Sequence, residues 1–468
     1  MKHPLVGSNV YAPQHALVIG AGLAGLLAAR VLLDHFAFVT VIGRCAAADE
    51  RPPGHVLAVR GFRALERLFP GLGAELALLG APSVDWTADC PALLPAGWAA
   101  RFRSGLLTRA VSGGGLALTV RRRLAEYGGE RLTLCGSLRA VGLLWDGGRV
   151  CGVRLVTGSA ADATARAVSA DFVVDAGGRG SQAADWLALA DYDAPAAALV
   201  SAPAVYTLGV FRRPHNADPA WRALLVAPAP GRLGALLHPL EGGRWAVTLA
   251  APPGAAAPAD ADALLAAVDR LPTPALRDAL RAAEPLQAAR AWAYSGSRTA
   301  AYHRLARWPE GIAATGDAVC ALNPAYGHSL TAAALAAQAF GAALGEQRRA
   351  HPDGALDGLS QRLHSAQAAA LQAPLRAAAA FEAWCAGDAG ALARRWAAAV
   401  LTTAAARPAV YRALLETFML TRPPAALLRP ATALQALRPA PPLAAPGPPP
   451  PAPDPDAGRS TQELAVLS

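Results

Sequence analysis

The stretch that most constrains the fold is His15 to Arg44. Ala16 to Ile19 is a short apolar run with the character of a buried strand, and Gly20, Gly22 and Gly25 follow it at G-x-G-x-x-G spacing. Leu26 to Leu33 continues as an alanine- and leucine-rich helix, and a second apolar run, Phe38 to Ile42, completes a β-α-β unit. The glycines have separate duties in such a unit. The first permits the tight turn, the second admits backbone close to a pyrophosphate, and the third lets the helix sit tightly on the strand. The helix N-terminus offers unpaired N–H groups and a partial positive charge to the phosphates. One position departs from the pattern. An acid about 20 residues beyond the first glycine holds the adenosine ribose in such folds, yet the strand here ends Val41-Ile42-Gly43-Arg44, with Gly43 in the acid's place. Arg44 is the neighbouring side chain able to meet a 2′-phosphate instead.

A chain of 468 residues can bury one large α/β core with an inserted second domain, or two modest domains. It is 53% apolar, but no apolar stretch is long enough and free enough of glycine, proline and charge to span a bilayer. Met1 to Gln14 lacks a basic region joined to a hydrophobic core, so no secretory signal is expected. Six cysteines, Cys45, Cys90, Cys135, Cys151, Cys320 and Cys385, contain no C-x-x-C pair, which argues against a disulfide framework and a structural metal site. A reduced cytoplasm is the expected setting. The net charge of +9 comes from arginine, with almost no lysine. No basic stripe interleaved with aromatics accompanies it, so a nucleic-acid surface is not expected.

Along the chain, 46–54 reads as a loop, and His55 to Phe69 as an amphipathic helix closed by Pro70-Gly71. Ser112-Gly113-Gly114-Gly115 precedes a helix over Leu116 to Tyr127. Leu138 to Leu144 and Val150 to Val156 flank Asp146-Gly147-Gly148 as a hairpin. Ala170 to Ser181 is another buried strand ending in an acid and a glycine turn. Val205 to Phe211, Ala223 to Val226, Leu233 to His238 and Arg244 to Leu249 alternate as an antiparallel sheet, followed by helices at Ala261 to Arg270 and Ala275 to Ala283. Ala291 to Ala301 reads as a returning strand. Gly311 to Ala318 is a third buried strand with a terminal acid, leading to Asn323-Pro324-Ala325-Tyr326-Gly327-His328-Ser329 and the helix Leu330 to Leu344. Further helices fill 357–418, and from Arg438 the Ala/Pro composition cannot build a core. The predicted fold class is α/β: a Rossmann-like domain over 1–195 and 301–350, an antiparallel-sheet substrate domain over 196–300, C-terminal helices over 351–437 and a disordered proline-rich tail over 438–468.

Three glycine-and-acid strand ends, Gly20-Ala21-Gly22, Asp175-Ala176-Gly177-Gly178 and Gly316-Asp317, stand in the order and spacing of one family. With Arg179-Gly180-Ser181, Asn323-Pro324 and Tyr326-Gly327, they resemble the FAD-dependent monooxygenases of the aromatic-hydroxylase type. The likeness is greatest to the bacterial branch that includes polyether epoxidases and polyketide tailoring enzymes, and it covers roughly residues 15–345. The resemblance implies FAD held by Gly20, Gly22, Gly25, Arg44, Asp175, Gly177, Asp317, Pro324 and Gly327. Asp317 would reach the ribityl chain, and the N-terminus of the helix at 330 would point its dipole at the flavin. It also implies NAD(P)H or a flavin reductase as electron donor, and epoxidation or hydroxylation through a flavin C4a-hydroperoxide. Several family anchors are altered here. Gly43 replaces the ribose acid, Gly113 an arginine, Pro52 a basic residue (with Arg51 beside it), and Ser329 a glycine.

An apolar, polyketide-like small molecule is the expected substrate, with Tyr206, Phe211, Leu236 and Trp245 as the pocket wall. His328 and Tyr326 are the candidate catalytic groups, and His328 reads equally well as a hydrogen-bonded core histidine. No acid–base dyad or triad is recognisable, as befits chemistry carried by a cofactor. The altered anchors keep a second reading open: a non-redox cyclase or rearrangement enzyme on the same scaffold, with a weak or lost FAD site. A non-catalytic scaffold protein is a third.

Overall fold

Five parallel strands form the frame, in the order Ile312–Ala314, Phe172–Asp175, His15–Ile19, Phe38–Ile42 and Leu132–Cys135. The computed structural model describes residues 14–44, 56–157, 164–215, 219–252, 254–323, 327–386, 390–438 and 448–453. These strands read as continuous apolar runs because both faces of the sheet are buried. Ala16, Val18, Phe172 and Val174 point into a core with Leu26 and Leu27 of helix Leu23–Leu32, Leu116 of helix Gly113–Gly128 and Phe340 of helix His328–Ala350. Leu17, Ile42, Val173 and Ile312 point the other way, onto Ala140, Leu143, Val153 and Leu155. Those residues belong to the expected hairpin, Leu138–Asp146 and Arg149–Thr157, which gains a third strand at Thr164–Ser169.

The second large sheet is built on Ala197–Arg212, paired with Arg244–Ala251 on one side and Arg290–Ala300 on the other. It continues through Gly234–Leu240 and Leu224–Val226. Its outer face packs on helices Ala261–Val268 and Ala275–Arg281, where Leu264, Leu276 and Leu280 are buried. Arg290–Ala300 belongs to this sheet, and the third strand expected over 311–318 joins the parallel sheet as Ile312–Ala314. The sheet also recruits Ala92–Leu94, Gly97–Trp98 and Cys320–Ala321, all outside 196–300. Cross-strand pairing, invisible in linear order, decides that membership.

Helix Leu359–Ala386 runs along the open edge of the parallel sheet and pairs it with side chains. The Ala314 N–H donates to His364 Nε2 at 3.4 Å, Gln367 Nε2 donates to the Ala314 carbonyl at 3.1 Å, and the Thr315 hydroxyl donates to Gln367 Oε1 at 2.7 Å. An exposed strand edge invites pairing with another chain, and this arrangement removes it. Helices Ala391–Ala406, Pro408–Phe418 and Pro430–Leu437 complete the C-terminal region. Within the stretch expected to be a disordered tail, Pro450 lends its carbonyl to Arg101 Nη1 at 2.8 Å, while 439–447 and 454–468 lie outside the described residues. The expected loop at 46–54 lies outside them as well.

Candidate functional site

The three predicted strand ends meet on one edge. Ile19 is level with Asp175, and Asp175 with Ala314, across adjacent parallel strands. The Ala176 N–H donates to the Ile19 carbonyl at 2.7 Å, and the Thr315 N–H to the Asp175 carbonyl at 2.8 Å. In open α/β sheets the carboxyl ends of the strands border the ligand crevice. The glycines divide their work as their spacing predicts. Gly20 has φ +106°, and a Cβ there would fall 2.3 Å from the Ala176 carbonyl oxygen. A Cβ on Gly25 would fall 1.8 Å from the Gly20 carbonyl oxygen. Gly22 is different: a Cβ there would meet nothing within 4 Å. It occupies the N-cap of helix Leu23–Leu32, with no side-chain cap and no acid in the first turn. Gly316 has φ +64°, and its missing Cβ would lie 2.5 Å from the Ala24 Cβ, so the Asp317 turn rests on that same first helical turn.

The two acids behave differently. Asp175 is buried and spent locally, accepting from the Gly177 N–H at 3.0 Å and from the Ser181 hydroxyl. Burial raises its pKa, against the effect of those two donors. Asp317 lies in the 3₁₀ turn Gly316–Ala318 and makes no hydrogen bond or ion pair with the described residues. Burial raises its pKa too, while the guanidinium groups of Arg179 and Arg298 pull it down. Those arginines belong to the same corner, since Arg298 Nη2 donates to the Arg179 carbonyl at 3.5 Å and Arg179 Nη2 donates to the Ala321 carbonyl at 3.3 Å.

Beyond the end of strand Phe38–Ile42, Gly43 has φ +126°, and a Cβ there would sit 3.3 Å from the Ala21 nitrogen. The backbone has therefore turned into a conformation that suits glycine and not the missing acid. A small cleft beside it is lined by Ala21, Gly43, Arg121, Cys135 and Gly136, with Arg44 exposed at the strand end. Gly327 has φ +70° and is pressed on the main chain of Val56, where a Cβ would fall 1.5 Å from the carbonyl oxygen. Pro324 and Tyr326 lie outside the described residues.

His328 proves to be a packing histidine. It is fully buried, with Nε2 2.9 Å from the Phe418 carbonyl and its ring 5.2 Å from the Phe418 ring. Burial lowers its pKa to about 4, so the ring is neutral and ties helix His328–Ala350 to helix Pro408–Phe418.

The expected pocket wall splits in two. Phe211 and Trp245 pair directly across adjacent strands and face the outer helices, in one core with Leu264 and Leu276. They are removed from any pocket because alternate strand residues point to opposite faces. Tyr206 and Leu236 take the inner face. The Asn323 Nδ2 donates to the Tyr206 hydroxyl at 2.6 Å, and Leu236 packs against the core cluster that contains Val56, Val84 and Met419. The sequence reading missed Trp292 and Tyr294, whose rings lie 5.6 and 6.2 Å from that of Tyr206. It also missed Glu382, which accepts from Ser297 and Tyr294. The i, i+2 spacing of Trp292 and Tyr294 was a usable signal. For Glu382 the only signal was one acid in an alanine-rich helix.

No family model matches the sequence. Protein Rv3254 of Mycobacterium tuberculosis is 31% identical over 350 residues, 69% of this chain and 71% of that protein. Among solved structures, the flavin-dependent brominase Bmp2 superposes with a TM-score of 0.64 at 14% identity, over 87% of this chain and 94% of its own. The p-nitrophenol 4-monooxygenase PnpA from Pseudomonas putida DLL-E4 gives 0.61 at 16% identity, over 88% and 99%. A flavoprotein/dehydrogenase from Cytophaga hutchinsonii gives 0.64 at 16% identity, over 86% and 92%. The chain belongs to the same family as Protein Rv3254, on the fold shared by FAD-dependent monooxygenases and flavin-dependent halogenases.

Proposed function

We propose that the crevice at the three strand ends binds FAD, and that the chain is a flavin-dependent monooxygenase that epoxidises or hydroxylates an apolar, polyketide-like substrate. NAD(P)H or a flavin reductase is the proposed electron source. One contrast carries the reading: Gly20 and Gly25 are glycines because protein crowds them, whereas Gly22 is a glycine facing open space at an uncapped helix N-terminus. Nothing in the protein's own packing demands that glycine, and a pyrophosphate does. Asp317, half-buried and making no hydrogen bond or ion pair among the described residues, suits a ribityl hydroxyl in the same way.

Bound FAD, once reduced, supplies transfer of one oxygen atom from O₂ to an electron-rich carbon. The protein's part is binding, orientation and exclusion of water. The N–H groups at Gly22 and the first turn of helix Leu23–Leu32 would hold the phosphates, and Asp317 the ribityl chain. Arg179 and Arg298 add positive charge beside it, which favours an anionic ring. The inner face of the antiparallel sheet, with Tyr206, Trp292 and Tyr294, makes a dry aromatic wall for the substrate.

The backbone at Gly43 favours a second reading, a non-redox cyclase on the same scaffold, because the ribose grip there is gone. The two separate cleanly. Purified protein mixed with FAD and passed through gel filtration should keep a flavin spectrum. Gly22→Ala should fold with a stability within about 1 kcal/mol of wild type, since its Cβ meets no atom, yet elute colourless. Gly25→Ala should fail to fold. A colourless wild-type protein would turn the assignment to the cyclase.

A further inference from the structure

A cavity of about 620 Å³ opens where four connections of the antiparallel sheet meet. They are the turn between Ala92–Leu94 and Gly97–Trp98, the turn between Leu224–Val226 and Gly234–Leu240, the end of Arg244–Ala251, and the chain leaving helix Ala261–Val268. That volume is ordinary for a small-molecule site. None of Gly22, Asp175 and Asp317 lines it.

The floor is aliphatic. Leu93 and Val226 are buried in the core that the sheet shares with its outer helices, and Leu233 packs against that core. No lining side chain carries an aromatic ring, a hydroxyl, an amide or a carboxyl. The only polar side chains are Arg232 and Arg270, both exposed, which puts them at the mouth. Each stands on a backbone turn: the Arg232 N–H donates to the Ala229 carbonyl at 2.9 Å, and the Arg270 N–H to the Ala267 carbonyl at 3.2 Å. Neither guanidinium makes a hydrogen bond or ion pair with the described residues. Other arginines nearby in the fold do. Arg212 pairs with Glu284 at 3.0 Å, Arg244 with Glu241 at 2.8 Å, and Arg277 takes Asp269, the acid next to Arg270 in sequence, at 3.8 Å.

This division of chemistry defines a ligand. Aliphatic walls take a hydrocarbon chain, while they give a ring nothing to stack on and a hydroxyl no side-chain acceptor. Two unpaired guanidinium groups at the mouth attract an anionic oxygen head, match its geometry in a bidentate fork, and repel cations. We propose that this cavity binds an aliphatic anion, a hydrocarbon chain ending in a carboxylate or phosphate group. The chain lies against Leu93, Val226 and Leu233, and the head meets Arg232 and Arg270. The site requires nothing of the flavin crevice, so it stands or falls separately from the monooxygenase reading.

Calorimetric titration of the full-length protein with octanoate, octyl phosphate, octan-1-ol and acetate, all below micellar concentrations, tests it. Octanoate or octyl phosphate should bind saturably at one equivalent, and the tighter of the two identifies the head group. Octanol should bind at least about tenfold more weakly, and acetate should give no heat of binding. Arg232→Gln/Arg270→Gln should weaken the two chain-bearing anions about tenfold at this exposed mouth and leave octanol unchanged. The control Arg139→Gln/Arg166→Gln removes the same charge from exposed positions on the small antiparallel sheet and should bind as wild type does. All four substitutions are at exposed side chains, so matching thermal melts are expected. Equal losses in the two double variants would reduce the effect to net charge and overturn the proposal. So would an arginine variant that binds octanoate like wild type, octanol binding as tightly as octanoate, or a wild type that shows no saturable uptake of either anion.

Discussion

Asp317 and Gly43 hold opposite ends of the cofactor question. The folded environment of Asp317 disfavours its charge, since burial raises its pKa above the ordinary carboxylate value. An acid whose pKa is raised in the fold contributes least to stability once the pH exceeds that folded value, so at neutral pH its removal should not harm the apoprotein. Asp317→Ala is therefore expected to keep or raise apoprotein stability, while weakening FAD roughly 10- to 150-fold through one lost charge-assisted hydrogen bond. Thermal melts and FAD titration read the two effects separately, and a parallel fall in both would reduce Asp317 to a structural residue. At Gly43 the outcome runs the other way. Restoring the family's acid with Gly43→Glu should destabilise the protein by about 1–2 kcal/mol, because φ there is +126° and a Cβ crowds the Ala21 nitrogen. No gain in FAD affinity should accompany it.

Helix Gly113–Gly128 shows how an element is held from a distance. Its N-cap Ser112 accepts from the Gly115 N–H at 2.9 Å, and Glu241, from the hairpin turn of the antiparallel sheet, accepts the Ser112 N–H at 2.8 Å and the Ser112 hydroxyl. Arg244 steadies that carboxylate at 2.8 Å. A negative side chain at a helix N-terminus is favourable both as an acceptor and against the dipole. Glu241→Ala should cost about 1–2 kcal/mol, and hydrogen exchange should rise at residues 112–116 and in the 240–244 turn together. Exchange rising at only one of the two would mean that Glu241 does not join them.

Across the whole molecule, two neutral histidines join the C-terminal helices to the rest of the fold. His364 carries the sheet edge and His328 the Phe418 carbonyl. Burial lowers their pKa values from 6.5 to about 3 and about 4, respectively. A histidine whose pKa is depressed in the fold contributes stability that is present above its unfolded value and lost as pH falls from there toward the folded value. Stability should therefore decline between pH 6.5 and about 4, approaching roughly 1.4 kcal/mol per pH unit for each histidine. The urea midpoint as a function of pH measures this, and the double variant His328→Gln/His364→Gln should flatten that part of the curve. A wild-type midpoint constant over the range would remove both residues from the account.

The β-α-β unit, the hairpin at 138–157 and the antiparallel strands at 205–250 were legible because local period and glycine chemistry act over a few residues. The sequence alone determined that Gly20, Gly22 and Gly25 form a tight strand-to-helix turn, that Asp175 ends a buried strand and that Asp317 follows one in the turn Gly316–Ala318. Burial on both faces makes such strands continuously apolar, which leaves a clear mark in linear order. Tertiary structure decided which of the two acids is spent and which is left over, since that depends on Ser181 and on arginines far away in sequence. It alone sent Phe211 and Trp245 outward and Tyr206 inward, because a strand's alternation states two faces without saying which one meets the outer helices. It alone brought Glu382 to Tyr294 across 88 residues, a contact made by helix packing against a sheet and encoded by no local pattern.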